Sequence, residues 1–284
     1  MEAVHYKVGE YQYRTDRPDD ILGKGSFGNV YKGKDKNGNF VDIKIISNSR
    51  LVDPKTAEIM VNEINILKKI NHPNVLTFIT EIRDKENLYL ITECCNYDLK
   101  KFIDEKAPDE ETCVKILKDI VKGYDYIHKA AKIAHRDIKL ENILIKMVDG
   151  KYIAKIADYG FARFIETATT LTDVLMGSYL GSHMYMAPEI ETGEYNYTVD
   201  IYALGIVYYF MLFHDFPNII DSSQYTIDLE NILITKSSYS FITQCIKGYA
   251  QRLHLDKVLS HPLINCPFDE YDYHEKGKFV LTLN

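Results

Sequence analysis

The chain has 284 residues, enough for one large domain or two lobes with substantial cores, and its 46% hydrophobic and 26% charged content is that of an ordinary globular protein. A net charge of −7 and a pI near 5.7 argue against a dedicated nucleic-acid binder, which would carry a basic face. Its five cysteines, Cys94, Cys95, Cys113, Cys245 and Cys266, form no C-x-x-C pair, which suits reduced thiols better than a disulfide framework or a zinc site. Met1 to His5 lack the basic-then-apolar pattern of a signal peptide, and Glu2 stands where myristoylation requires glycine. The longest apolar run, Ile201 to Phe213, is too short to span a bilayer, so no membrane insertion and a cytoplasmic location are expected.

Residues 1–20 read as an extension leading into a first strand. From Leu22 to Ile91 the pattern is strand-rich: Asn29 to Tyr31, then Phe40 to Ile46 after a Lys36-Asn37-Gly38-Asn39 turn, then Leu88 to Thr92. A helix over Ala57 to Ile70 interrupts these strands, with Ile59, Glu63, Ile66, Leu67 and Ile70 at helical spacing and Asn71-His72-Pro73-Asn74 as its stop. Beyond Leu99 the pattern turns helical, over Cys113 to His128, Asp200 to Phe213 and Phe241 to Tyr249. Strands followed mostly by helices predict an α+β chain of two lobes, 21–92 and 97–265, joined at 93–96, with a surface-packed tail over 266–284.

Three stretches carry chemistry. Gly23-Lys24-Gly25-Ser26-Phe27-Gly28-Asn29-Val30 is a G-x-G-x-x-G-x-V pattern, whose glycines let backbone N–H groups approach a phosphate. Alone it reads more readily as a plain β-turn; a dinucleotide-binding fold would need a helix to follow, and Val30-Tyr31-Lys32 are strand-like instead. His135-Arg136-Asp137-Ile138-Lys139-Leu140-Glu141-Asn142, then Asp158-Tyr159-Gly160, gather a candidate base, a cation and two oxygen ligands. Phosphoryl transfer needs that inventory, since positioning and charge neutralisation supply most of its rate.

These stretches resemble, in order, the glycine-rich loop, the catalytic loop H-R-D-x-K-x-x-N and the D-F-G of protein kinases, with tyrosine for phenylalanine at Tyr159. The resemblance covers roughly residues 8–265. It implies a bilobal kinase fold that uses ATP and Mg²⁺ to phosphorylate protein serine or threonine. Gly23, Gly25, Gly28 and Lys44, in Val41-Asp42-Ile43-Lys44, would hold the phosphates, and Glu63 would pair with Lys44. Thr92 would be the gatekeeper, with the backbone of Glu93 and Cys95 bonding the adenine edge and Val30 and Leu144 sandwiching the base. Asp137 would accept the substrate proton, Lys139 neutralise the γ-phosphate, and Asn142 and Asp158 bind the metal. Leu67, Phe78, His135 and Tyr159 would stack as a lobe-bridging column.

The same resemblance matches Gly181 to Glu189 to the end of the activation segment, with Ser182 bridging the base and lysine and His183 in place of the usual proline. Glu189 would pair with Arg252, and Asp200 would brace the catalytic loop. Ser178 falls where an upstream kinase would add an activating phosphate, with Arg136 to receive it; one exposed loop hydroxyl among many is the bland alternative. Three stretches look like autophagy-initiating, ULK-type kinases: Val8 to Tyr11, Cys95-Asn96 with Asp98-Leu99, and Gly181 to Glu189; calcium/calmodulin-dependent kinases share several of these. Asp42 departs from the family, which places alanine there. A carboxylate on an apolar roof near a polyanion is unfavourable, so ATP affinity is expected to be weakened, unless Asp42 turns to accept a bond from the exocyclic amine. With the short stretch from Phe216 to Arg252, it favours the rival reading, a pseudokinase scaffold that binds partners without transferring phosphate.

Overall fold

The computed structural model describes residues 5–16, 20–25, 28–164, 182–192, 196–221, 224–228, 233–269, 272–274 and 277–282. The amino-terminal part is built from strands β1 (His5–Val8), β2 (Tyr11–Arg14), β3 (Ile21–Gly25), β4 (Gly28–Lys34), β5 (Phe40–Ser47), β6 (Phe78–Arg83) and β7 (Asn87–Glu93), with helix α1 (Pro54–Leu67) inserted after β5. Among the described residues these seven strands form one sheet in the order β1-β2-β4-β5-β7-β6, with β3 paired to β4. Residues set aside as an extension therefore supply a hairpin, β1 against β2, joined to the sheet at Gln12↔Lys34 and Tyr13↔Gly33. Its Val8, Tyr11 and Tyr13 bury themselves with Val41, Ile43, Tyr89 and Ile91.

Helix α1 starts three residues before the expected Ala57. Asp53 caps it by accepting from the Thr56 N–H, and Pro54 sits in the first turn, where its missing N–H costs nothing. It closes at Leu67, where the Lys69 N–H turns back to the Ile66 carbonyl, short of the expected Ile70.

The rest is mostly helical. Strand β8 (Tyr97–Asp98) leads into α2 (Leu99–Lys106) and α3 (Glu110–Lys129), and a short β9 (Ile133–Ala134) precedes the hairpin of β10 (Ile143–Val148) and β11 (Lys151–Ile156). After β12 (Arg163–Phe164), which pairs with β9, come α4 (Thr198–Phe213), strands β13 (Asn218–Asp221) and β14 (Gln224–Asp228), α5 (Lys236–Cys245), α6 (Leu255–Ser260) and α7 (Pro262–Asn265). Helix α5 spans Lys236–Cys245 rather than Phe241 to Tyr249, because Thr235 caps it by accepting from the Ser238 N–H. The tail also departs from expectation: β15 (Lys278–Thr282) pairs with β14 and makes a three-stranded sheet with β13.

Helices α3 and α4 centre the larger core, in which Ile116, Leu117, Ile120, Tyr124, Leu204 and Tyr208 are all buried. Helix α4 is apolar nearly all round, as a helix surrounded by protein must be. All five cysteines are unpaired, and no helix among the described residues is long and apolar enough to cross a membrane. The α+β architecture agrees with the bilobal fold that the resemblance implies.

Candidate active site

Strand alternation sets the first pair. On β5, Val41 and Ile43 enter the core under the hairpin, so Asp42 and Lys44 face the other way. There the Lys44 Nζ meets Glu63 of α1 at 3.0 and 2.8 Å from its two carboxylate oxygens. Burial alone would lower the Lys44 pKa, but Glu63 and then Asp158 overcome it and hold the ammonium above the ordinary lysine value.

The loop between β9 and β10 is held from beneath. Asp200, at the start of α4, accepts from the backbone N–H of His135 at 2.8 Å and of Arg136 at 2.7 Å, and from the Tyr124 hydroxyl at 2.9 Å. These bonds hold Arg136 at φ 68°, a left-handed conformation that a non-glycine residue adopts only when its surroundings enforce it. On this support Asp137 becomes the centre of a cluster. Its Oδ2 accepts from Lys139 Nζ at 2.7 Å and from Asn142 Nδ2 at 2.8 Å, while the same amide also bonds the Asp137 carbonyl. The other carboxylate oxygen, Oδ1, takes no hydrogen bond from the described residues.

Asp158 also sits in the left-handed region, at φ 62°, with the Gly160 N–H on its Oδ1 at 3.3 Å. Tyr159 is fully buried, stands edge-on to His135 with ring centres 5.0 Å apart, and donates its hydroxyl to the Ile156 carbonyl at 3.2 Å. The extra oxygen that distinguishes tyrosine from phenylalanine is thus satisfied locally. Leu67 lies in the same core, with Phe78 packed against it.

One contact here escapes sequence reasoning. Asn62, beside Glu63 on α1, aims its Nδ2 at the carbonyls of Tyr159, Gly160 and Ala162, at 3.1, 3.2 and 2.8 Å. A polar residue in a helix gives no pattern signal, so nothing in the sequence marks it. Asn62→Ala removes every polar atom that ties α1 to these carbonyls. Steady-state kinetics of phosphate transfer should show kcat reduced roughly tenfold, about 1.4 kcal/mol in all, since one NH2 shares two hydrogens among the three carbonyls, with KM for nucleotide little changed; unchanged kcat would mean that the clamp is ornamental.

Toward the junction with the helical part, Thr92 is buried opposite Asp42, and Leu144 packs with Leu76, Cys95 and Ala157. Val30 pairs across from Lys44, and the expected hairpin is present, with Gly25 opposite Gly28. Gly28 is required by packing, since a Cβ there would lie 2.1 Å from the Ile45 carbonyl oxygen, whereas one on Gly23 would meet nothing within 4 Å. The Glu93 carboxylate turns to the β10–β11 hairpin, at 2.7 Å from Lys146 and 2.8 Å from Lys155. Burial opposes its ionisation, but Lys146, Lys155 and the Thr77 N–H outweigh that and keep its pKa below the usual value. The buried Lys155, which also bonds the Pro73 carbonyl at 2.8 Å, is a second support that no motif announced.

Asp42 is 8% exposed and points at the same junction. Its Oδ2 lies 3.5 Å from the Cys95 N–H, and its Oδ1 takes no hydrogen bond from the described residues. Burial pushes its pKa from 3.8 up to about 6, against the Cys94 thiol and the Cys95 amide, which favour the charged form. Because the folded value is the higher one, the contribution of Asp42 to stability is greatest below 3.8 and is lost as pH rises through 6. Asp42→Asn should therefore be the more stable protein by about 3 kcal/mol at pH 7.5, falling to about half of that at pH 5. Urea unfolding at the two pH values checks this; a gap independent of pH would exclude the carboxyl charge as its cause.

Arg252 of the segment before α6 is buried and makes a two-pronged ion pair with Glu189, while bonding the Thr198 and Lys247 carbonyls at 3.1 and 3.0 Å. The backbone of Ser182 begins a short 3-10 turn, Ser182–Tyr185, but its side chain and all of Ser178 lie outside the described residues. Among the described residues no three His, Cys, Asp or Glu side chains gather into a metal site. Asn142 and Asp158 instead offer a sparse oxygen set, which suits a hard cation that completes its shell with water and phosphate.

Residues 17–264 match the family model described as protein kinase domain. The chain is 36% identical over 193 residues to Serine/threonine-protein kinase TIO of Arabidopsis thaliana, covering 67% of this chain and 14% of that protein. It is 35% identical over 216 residues to Serine/threonine-protein kinase atg1 of Dictyostelium discoideum, covering 72% and 30%. Against Probable serine/threonine-protein kinase fhkC of the same organism it is 30% identical over 281 residues, covering 91% and 46%. The likeness to atg1 agrees with the ULK-type features of the sequence, and the chain spans less than half the length of each of these relatives.

Proposed function

This chain belongs to the protein kinase family, and from that premise we propose that it transfers the γ-phosphate of ATP to serine and threonine hydroxyls of proteins. The observation that carries the reading is the Asp137 cluster: Lys139 and Asn142 both hold Oδ2, leaving Oδ1 to meet a substrate hydroxyl. Asp137 orients that hydroxyl and takes its proton as the oxygen attacks phosphorus. Lys139 neutralises charge on the transferring phosphoryl group, and its presence two residues after Asp137 supports serine and threonine over tyrosine as acceptors. Lys44, aimed by Glu63, holds the α- and β-phosphates beneath Gly23, Gly25 and Gly28. Thr92, Glu93, Cys95, Val30 and Leu144 enclose the base.

Asn142 and Asp158 would hold Mg²⁺, which would supply positive charge to neutralise the phosphates. Ser178 and Ser182 remain the proposed regulatory hydroxyls, the first as the target of an upstream kinase. The five unpaired cysteines support a reducing compartment, for which we propose the cytoplasm. The test is transfer of labelled phosphate from Mg·ATP to a generic basic protein, followed by phosphoamino-acid analysis. Labelled phosphoserine or phosphothreonine is expected; label on tyrosine alone, or none at saturating ATP, overturns the assignment.

A further inference from the structure

A buried carboxylate with one long hydrogen bond and one unpartnered oxygen is costly, and such a group needs a reason to persist. Asp42 is of this kind: it is buried, held only by the Cys94 thiol and the long bond from the Cys95 N–H, and its Oδ1 takes no hydrogen bond from the described residues. Its position says what would satisfy it. Asp42 and Lys44 are two residues apart on one face of β5, roughly 7 Å along the strand. With Lys44 at the phosphates, Asp42 lies at the base end of the site, beside Cys94 and Cys95. The charged groups around it are Glu93 on the same segment, which repels it, and Lys32 on β4, whose ammonium lies 4.2 Å from the centre of the Phe40 ring. Beyond the neighbouring Cys94 thiol, the described residues give Oδ1 no hydrogen bond.

The Cys95 N–H is the donor that an adenine ring nitrogen would use, and here Asp42 Oδ2 approaches it. Adenine presents an acceptor, N1, beside its amine. Guanine presents two adjacent donors, N1–H and the 2-amino group, at a spacing that fits the two oxygens of one carboxylate. We propose that Asp42 is a base-selecting residue: its carboxylate competes with adenine for the Cys95 N–H and accepts the paired donors of guanine, so that this kinase binds GTP at least as tightly as ATP. The inference rests on the nucleotide site proposed above.

Calorimetric titration with Mg·ATP and Mg·GTP at pH 7.5 tests it, using the wild-type chain, Asp42→Ala and Asp42→Asn. Removing the carboxylate should tighten ATP and weaken GTP, shifting the ratio of affinities toward ATP by at least about tenfold, the low end of what a bidentate base contact discriminates. Asp42→Asn, which keeps the shape but replaces one acceptor with a donor, should lose GTP as well. A wild-type preference for ATP that neither substitution alters overturns base selection and leaves the nucleotide site intact. If all three proteins unfold cooperatively yet bind neither nucleotide, the nucleotide site falls and this proposal with it.

Discussion

Asp137→Asn should reduce the rate of phosphate transfer on the order of 10²–10⁴-fold, the range for removing a positioned proton acceptor. Asparagine keeps the size of the side chain but removes its charge, and with its carbonyl oxygen held by Lys139 and Asn142 its NH2, a donor, stands where Oδ1 would accept the substrate proton. Nucleotide affinity should change by no more than a few-fold, because Lys44 and the segment around Cys95 are separate from the substituted group. Single-turnover kinetics with a matched binding titration divides the two effects. Activity within tenfold of wild type would remove Asp137 as the proton acceptor; equal losses in binding and rate would point to a collapsed loop.

Glu189→Ala should cost about 3–5 kcal/mol of folding stability, because it strands a buried guanidinium. The Arg252 side chain is 0% exposed and packs over the Tyr202 ring, so water cannot replace the lost carboxylate. For a domain of this size the loss corresponds to a fall in melting temperature of roughly 6–20 °C. Lys100→Ala serves as the contrast. It breaks an exposed pair with Asp104, 41% and 54% exposed, and should change stability by no more than about 1 kcal/mol. Urea unfolding of both variants decides whether burial, rather than the mere presence of an ion pair, sets the effect; equal small losses would mean that Arg252 finds another partner.

Much of the site could be read from the chain because its parts are contiguous. The residues from His135 to Asn142 are adjacent in sequence, so local spacing brings Asp137, Lys139 and Asn142 together. The Lys44–Glu63 pair was legible for another reason: Glu63, a carboxylate on an otherwise apolar helix face, needs a partner, and the kinase resemblance pointed to Lys44. Other elements were not legible. The hairpin of β1 and β2 and the tail strand β15 carry too few alternating residues to stand out, and both are fixed by strands distant in sequence.

Sequence by itself determined the α+β order of elements, the kinase family pattern and which residues are proposed to meet phosphate, because these depend on residue type at short spacing. Tertiary structure alone decided where unsatisfied polar groups go. It sends Asn62 to three carbonyls of the Tyr159–Ala162 stretch, and Lys155 to Glu93. It also brings Asp42 to the Cys95 N–H across 53 residues of chain. A buried donor or acceptor takes whichever partner folding brings within about 3 Å, and local sequence does not record which one that is.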